Sequence, residues 1–137
     1  MSLGDSRLPA DLAKHVIERR DITIFSDGSP SRTFCYVSDA IAGYLLCLLH
    51  GKYDYFNIGI DQREITVKEL AEIYCAAGAE ICNYTGKIVY EKSSDPQYLK
   101  DNPSRRCPDI RKAREKLGYA PKIPVEEGVR RHLQFLS

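Results

Sequence analysis

DGSPSRTFCYVSD, residues 27–39, holds a turn, an extended run and the start of a helix within a single short stretch. Asp27-Gly28 and Ser29-Pro30 are turn signals, because glycine accepts positive φ and proline presets its own. Residues 33–37 are rich in aromatic and β-branched side chains and read as a strand. Ser38 or Asp39 can accept hydrogen bonds from the free N–H groups of a helix over residues 40–50, and Gly51 stands where the helix should close. That helix is apolar nearly all round, which predicts burial. Arg32 is left at the mouth of the strand.

The same alternation continues outward in both directions. Leu12, Ala13, Val16 and Ile17 recur at helical spacing within residues 9–20, and residues 22–25 form a short β-prone run. Residues 53–58 read as another strand, residues 61–64 as a polar loop. Thr66 and Glu69 then fit a capping box at the head of a helix whose apolar stripe, Val67 to Ala77, ends at Gly78. Residues 87–91 alternate like a half-buried strand. Residues 93–108 form a polar loop with three prolines, and loops of that length in small domains tend to carry function. Asp109 can cap a short helix bearing Ile110, Ala113 and Leu117 and stopped by Gly118. A last helix starts at Pro124, with Glu126 and Glu127 at its positive end and Arg130, Arg131 and His132 towards its negative end. The class expected is α/β, of the mixed α+β kind.

The bulk numbers exclude several functions. A chain of 137 residues suits one domain, here residues 5–137, with residues 1–4 set outside the fold. Twenty basic and 19 acidic side chains leave no excess for a broad nucleic-acid surface. Residues 40–49, the longest apolar run, are too short for a membrane span, and the first residues lack a signal pattern. The five cysteines make no Cys-x-x-Cys pair, so reduced thiols in the cytoplasm are expected. His15, His50 and His132 lie far apart and read as surface or helix-end residues, with no metal site. No G-x-G-x-x-G turn or G-x-S-x-G elbow is present. Tyr84 and Tyr119 each have a lysine three positions later, so no Tyr-x-x-x-Lys pair exists either.

Two arginine-bearing features remain, Arg32 and the cluster of residues 101–109 with Arg105 and Arg106. A guanidinium suits phosphate because its planar fork donates two parallel hydrogen bonds and never loses its charge. The plainer alternatives are a surface pair of Arg32 with Asp27 or Asp39, and solvated loop charges at 105 and 106. Asp39 and Asp109 read as helix caps.

Four segments occur in a telling order: DGSPSRTFCYVSDAI, YFNIG, ITVKELA and RRCPDIRKAREKLGY. Over residues 21–136 this order resembles the C-terminal part of the NAD-dependent nucleotide-sugar epimerase/dehydratase family, the extended short-chain dehydrogenases. The pattern from Arg106 to Ala113 is most similar to the UDP-glucuronate decarboxylase and dTDP-glucose 4,6-dehydratase branches. The resemblance implies a UDP- or dTDP-linked sugar as ligand, with Arg32 on the diphosphate and Arg106 on the phosphate or sugar end. Arg105, Asn57 and Asp109 are further candidates, Asn57 being as suited to holding backbone. It also implies that NAD and the Tyr-x-x-x-Lys pair belong to a Rossmann half outside this chain, so this part binds no cofactor and is not catalytic alone. Apolar surface near residues 53–58 should await that half, or drive self-association. Residues 92–104 depart from the spacer expected of the decarboxylase branch, which leaves the sugar and the reaction subclass open. The competing reading is a free-standing module that binds an anion or a partner protein.

Overall fold

A computed structural model describes residues 7–91 and 103–137. Helix α1 (Leu8–Ile17) takes Pro9 in its first turn and buries Ala10, Leu12, Ala13 and Val16. It ends three residues before the expected limit because Arg19 turns into positive φ and sends the chain into strand β1 (Ile22–Ile24). Strand β2 (Ser31–Arg32) follows the turn at Gly28, whose φ is +77°. Helix α2 (Val37–Leu49) is followed by strand β3 (Ile65–Thr66) and helix α3 (Val67–Cys82). Strands β4 (Ile88–Tyr90) and β5 (Arg105–Arg106) precede helices α4 (Arg111–Leu117) and α5 (Val125–Leu136). The expected mixed α/β class holds.

The described strands form two small sheets. β1 pairs in parallel with β4, Ile22 opposite Ile88. The second sheet has the order β3-β2-β5, with β2 antiparallel to β3 and parallel to β5. Against β1 and β3 pack α1, α3 and α5, whose Leu12, Val16, Leu70, Tyr74, Val129 and Leu133 form the main core with Ile22, Ile24 and Ile65. A smaller core joins Ile110, Ala113 and Tyr119 to Leu46, Phe56 and Ile58.

The capping box is present in full: Thr66 Oγ1 accepts from the Glu69 amide at 3.1 Å, and a Glu69 oxygen accepts from the Thr66 amide at 2.7 Å. Helix α3 does not stop at Gly78. It runs on to Cys82 and closes at Asn83 in the left-handed conformation. Gly78 is inside the helix because α1 crosses there: a Cβ would lie 2.6 Å from Val16 Cγ1 and 3.1 Å from Tyr84 Cβ. Tyr84 is buried and donates its hydroxyl to the Arg20 carbonyl at 2.7 Å.

Other expectations are corrected. The strand expected over residues 33–37 does not form: the ladder takes the two residues before it, Ser31 and Arg32, and residues 33–36 run on without ladder pairing. Helix α2 therefore begins at Val37 and takes Asp39 into its first turn. There Asp39 is not the cap; its carboxylate accepts from the Lys122 and Ile123 amides at 2.9 and 2.8 Å. Gly51, with φ +66°, closes the helix as expected. Helix α2 is not buried: only Gly43 is, while Leu48 is 76% and Leu49 79% exposed. Its inner side meets Ile58 and Tyr119 at Gly43, and a helix apolar all round needs cover on the other side too. Residues 53–58 form no strand among the described residues; Tyr53 and Tyr55 stand exposed. Of the long loop, residues 92–102 lie outside the described residues, and the loop's end supplies β5.

Candidate functional site

The second sheet brings together the two arginines that the sequence singled out. In the parallel pairing of β2 with β5, Arg32 stands opposite Arg106 and Ser31 opposite Arg105. Directly opposed residues share a face, and successive residues alternate. Arg32 and Arg106 therefore leave the sheet on one face, one strand spacing of about 4.8 Å apart at the backbone. Arg105 leaves on the other face with Ser31. Arg32 is half-buried and Arg106 exposed. Arg32 Nη1 donates to the Ser31 carbonyl at 2.7 Å, which ties the guanidinium back towards its own strand. Two arginines carried side by side on adjacent strands suit a ligand with two neighbouring negative charges.

Arg105 is engaged elsewhere. Its Nε donates to Glu64 Oε2 at 2.8 Å and its Nη2 to Glu64 Oε1, a two-pronged pair that holds the Glu64 carboxyl below its ordinary range. The sequence reading missed Glu64, because nothing local marks a carboxylate in a polar loop as the partner of an arginine on another strand.

Asn57 and Asp109 do structural work. Asn57 Nδ2 donates to the Asp109 carbonyl at 3.0 Å, which joins residues 56–58 to the head of α4. The Asp109 carboxylate accepts from the Arg111 amide at 3.0 Å and pairs with its guanidinium at 2.6 Å. These contacts hold its pKa down at about 2, the guanidinium bond being the larger cause. Asp109 thus satisfies a donor of α4's first turn from one position outside the N-cap. Asn57, Asp109, Arg111, Lys112 and Glu115 line a shallow surface depression of 370 Å³. The carboxylates weighed as partners for Arg32 have other roles as well: Asp27 accepts from the Ser29 amide and hydroxyl, and Asp39 holds residues 122–123. His132 is half-buried on the inner side of α5, not a surface residue, with its Nδ1 2.9 Å from the Tyr74 hydroxyl.

A family model described as GDP-mannose 4,6 dehydratase matches residues 6–132. The chain belongs to this family. Membership places it among the NAD-dependent epimerases and dehydratases, and curated relatives of this GDP-mannose 4,6-dehydratase-family chain bear that out. UDP-glucuronic acid decarboxylase 1 of Arabidopsis thaliana is 32% identical over 131 residues, covering 96% of this chain and 28% of that protein. UDP-glucuronic acid decarboxylase 1 of Danio rerio is 30% identical over 140 residues, 100% of this chain and 30% of that protein. The chain therefore spans under a third of the length of these two relatives. Among solved structures, UDP-glucose 4-epimerase of Thermotoga maritima with UDP-glucose superposes with a TM-score of 0.81 at 29% identity, over 97% of this chain and 40% of that one. The dTDP-glucose 4,6-dehydratase of Bacillus anthracis in complex with NAD shares the fold, with a TM-score of 0.75 at 20% identity over 95% of this chain and 38% of that one.

The turn after β1 is not of the dinucleotide-binding kind. A dinucleotide needs a glycine-rich turn from a strand into a helix N-terminus, where backbone N–H groups meet the pyrophosphate. Here β1 runs through the turn at residues 26–30 into another strand.

Proposed function

We propose that residues 5–137 form the nucleotide-sugar-binding part of an NAD-dependent epimerase, dehydratase or decarboxylase, with Arg32 and Arg106 flanking the diphosphate of a UDP- or dTDP-linked sugar. The observation that carries this reading is the register of β2 against β5, which sets the two arginines side by side on one face. In this reading hydride transfer takes place on a Rossmann half that carries the NAD. The two arginines hold the diphosphate so that the sugar faces that half, which lowers the barrier by orientation. The half would dock on the exposed apolar face of α2 and the adjacent Tyr53 and Tyr55. The five free thiols suit a cytoplasmic setting.

Calorimetric titration of the wild type, Arg32→Ala and Arg106→Ala with UDP, UDP-glucuronate and dTDP-glucose tests the reading. Each substitution removes a charge-assisted hydrogen bond and should weaken binding by about 10- to 150-fold. Unchanged affinity in both variants sinks it. The exposed face of α2 also favours a second reading, a non-catalytic module that binds a partner protein, and a wild type that binds none of the three ligands would select that one.

A further inference from the structure

Arg105 and Arg106 are adjacent, yet β5 turns them to opposite faces, and a slip of one residue would exchange them. β5 contains only two residues, and among the described residues its approach to β2 includes the Ser31 amide donating to the Ser104 carbonyl at 2.8 Å. The anchored segment after β5, from Pro108 against Gly59 to the buried Ile110, limits a slip, and side-chain contacts add to the choice of which arginine stands beside Arg32. Glu64 distinguishes the two: it grips the Arg105 guanidinium with both oxygens, and its Oε2 lies 3.4 Å from Ser31 Oγ, on the strand between.

Glu64 is itself held in place. The residue before it, Arg63, has φ +55°, a conformation uncommon for a residue other than glycine and retained where the surroundings enforce it. The Arg63 guanidinium pairs with Glu126 on α5, and the residue after Glu64 is the buried Ile65 of β3. The backbone on either side of Glu64 is thus tied to α5 through Arg63 and to the core through Ile65, by contacts that do not involve β5. The Arg105 side chain is 68% exposed and that of Glu64 27%, and exposed pairs of this kind add little to global stability. Loss of the pair should therefore alter register and leave the fold in place.

We propose that Glu64 is a positioning residue for ligand binding: by clamping Arg105 it selects the β5 register that places Arg106 beside Arg32, and so sets the affinity for a nucleoside diphosphate. The inference rests on the reading of Arg32 and Arg106 as diphosphate ligands. Its test includes a measurement that needs no ligand.

UDP is titrated into the wild type, Glu64→Gln and the exchanged pair Glu64→Arg/Arg105→Glu, and hydrogen exchange of the Ser31 amide and the thermal midpoint are recorded for each. The expected result is about fivefold or greater loss of UDP affinity in Glu64→Gln, with faster exchange at Ser31 and a thermal midpoint close to that of the wild type. The exchanged pair restores both affinity and protection. Wild-type affinity together with wild-type exchange in Glu64→Gln overturns the inference, and so does a loss that the exchanged pair does not repair. A wild type that binds no UDP overturns the diphosphate reading alone. In that case the Ser31 exchange still decides the clamp, slow in the wild type and fast in Glu64→Gln if Glu64 selects the register, equal in both if it does not.

Discussion

Replacing Gly78 by alanine tests how closely α1 and α3 approach. The added Cβ would lie 2.6 Å from Val16 Cγ1, whereas carbon atoms settle at about 3.5–4.0 Å, so the helices must part by about 1 Å. Overpacking of this kind costs about 1–3 kcal/mol. Against that, alanine in a helix interior is better than glycine by about 1 kcal/mol. The net expectation is a destabilisation of about 0–2 kcal/mol. Val16→Ala removes the offending methyl and leaves the 3.1 Å approach to Tyr84 Cβ, which a shift of a few tenths of an ångström absorbs. In that background Gly78→Ala should become neutral or stabilising, a coupling of about 1–3 kcal/mol between the sites. Urea unfolding of the four proteins, followed by circular dichroism, measures the cycle. Stabilisation of about 1 kcal/mol by Gly78→Ala in both backgrounds would refute the claim that the glycine is there for close approach.

Thr66→Ala should cost about 0.5–2 kcal/mol by removing the acceptor of the Glu69 amide, read as a lower urea midpoint with an unchanged slope. Burial raises the Tyr84 hydroxyl from 10.0 to about 12; the folded chain holds this proton more tightly, so the contribution is complete below pH 10 and is lost as pH rises towards 12. Wild-type stability should therefore fall more steeply than that of Tyr84→Phe over that interval, and parallel curves would count against the burial of this hydroxyl. Leu45→Gln/Leu48→Gln, on the open face of α2, should shift stability by less than about 0.5 kcal/mol per site while reducing the binding of a hydrophobic dye. A large loss of stability would mean that the face is covered.

What the sequence disclosed was chiefly local. The capping box at Thr66 and Glu69 was legible because both of its bonds close within four positions of chain. Gly51 and Gly118 announced helix ends because their left-handed backbone is a property of one residue. Asp39 was misread for the same reason: its helix-head position suggested a cap, but the amides it serves belong to Lys122 and Ile123, far along the chain. The apolar circumference of α2 was legible as a need for cover. It did not show whether the described residues supply that cover, and they do so on one side only. Gly78 looked like a stop, because its partner Val16 belongs to another helix.

The candidate site divides in the same way. Arg32 and Arg106 stood out by residue type and by their loop setting, but their pairing depends on a register between two short strands that no local pattern encodes. The separate settings of Arg105 and Arg106 are seen only in that register, where Arg106 stands opposite Arg32 and Arg105 pairs with Glu64.

The central claim is that Arg32 and Arg106 together read a diphosphate. The most direct measurement compares the calorimetric affinities for UDP and UMP in the wild type and in Arg32→Ala/Arg106→Ala, at one fixed ionic strength. The wild type should prefer UDP by about tenfold or more, the worth of one charge-assisted contact to the second phosphate, and the double variant should lose the preference. Equal affinity of the wild type for UDP and UMP, or an undiminished preference in the double variant, would contradict the claim.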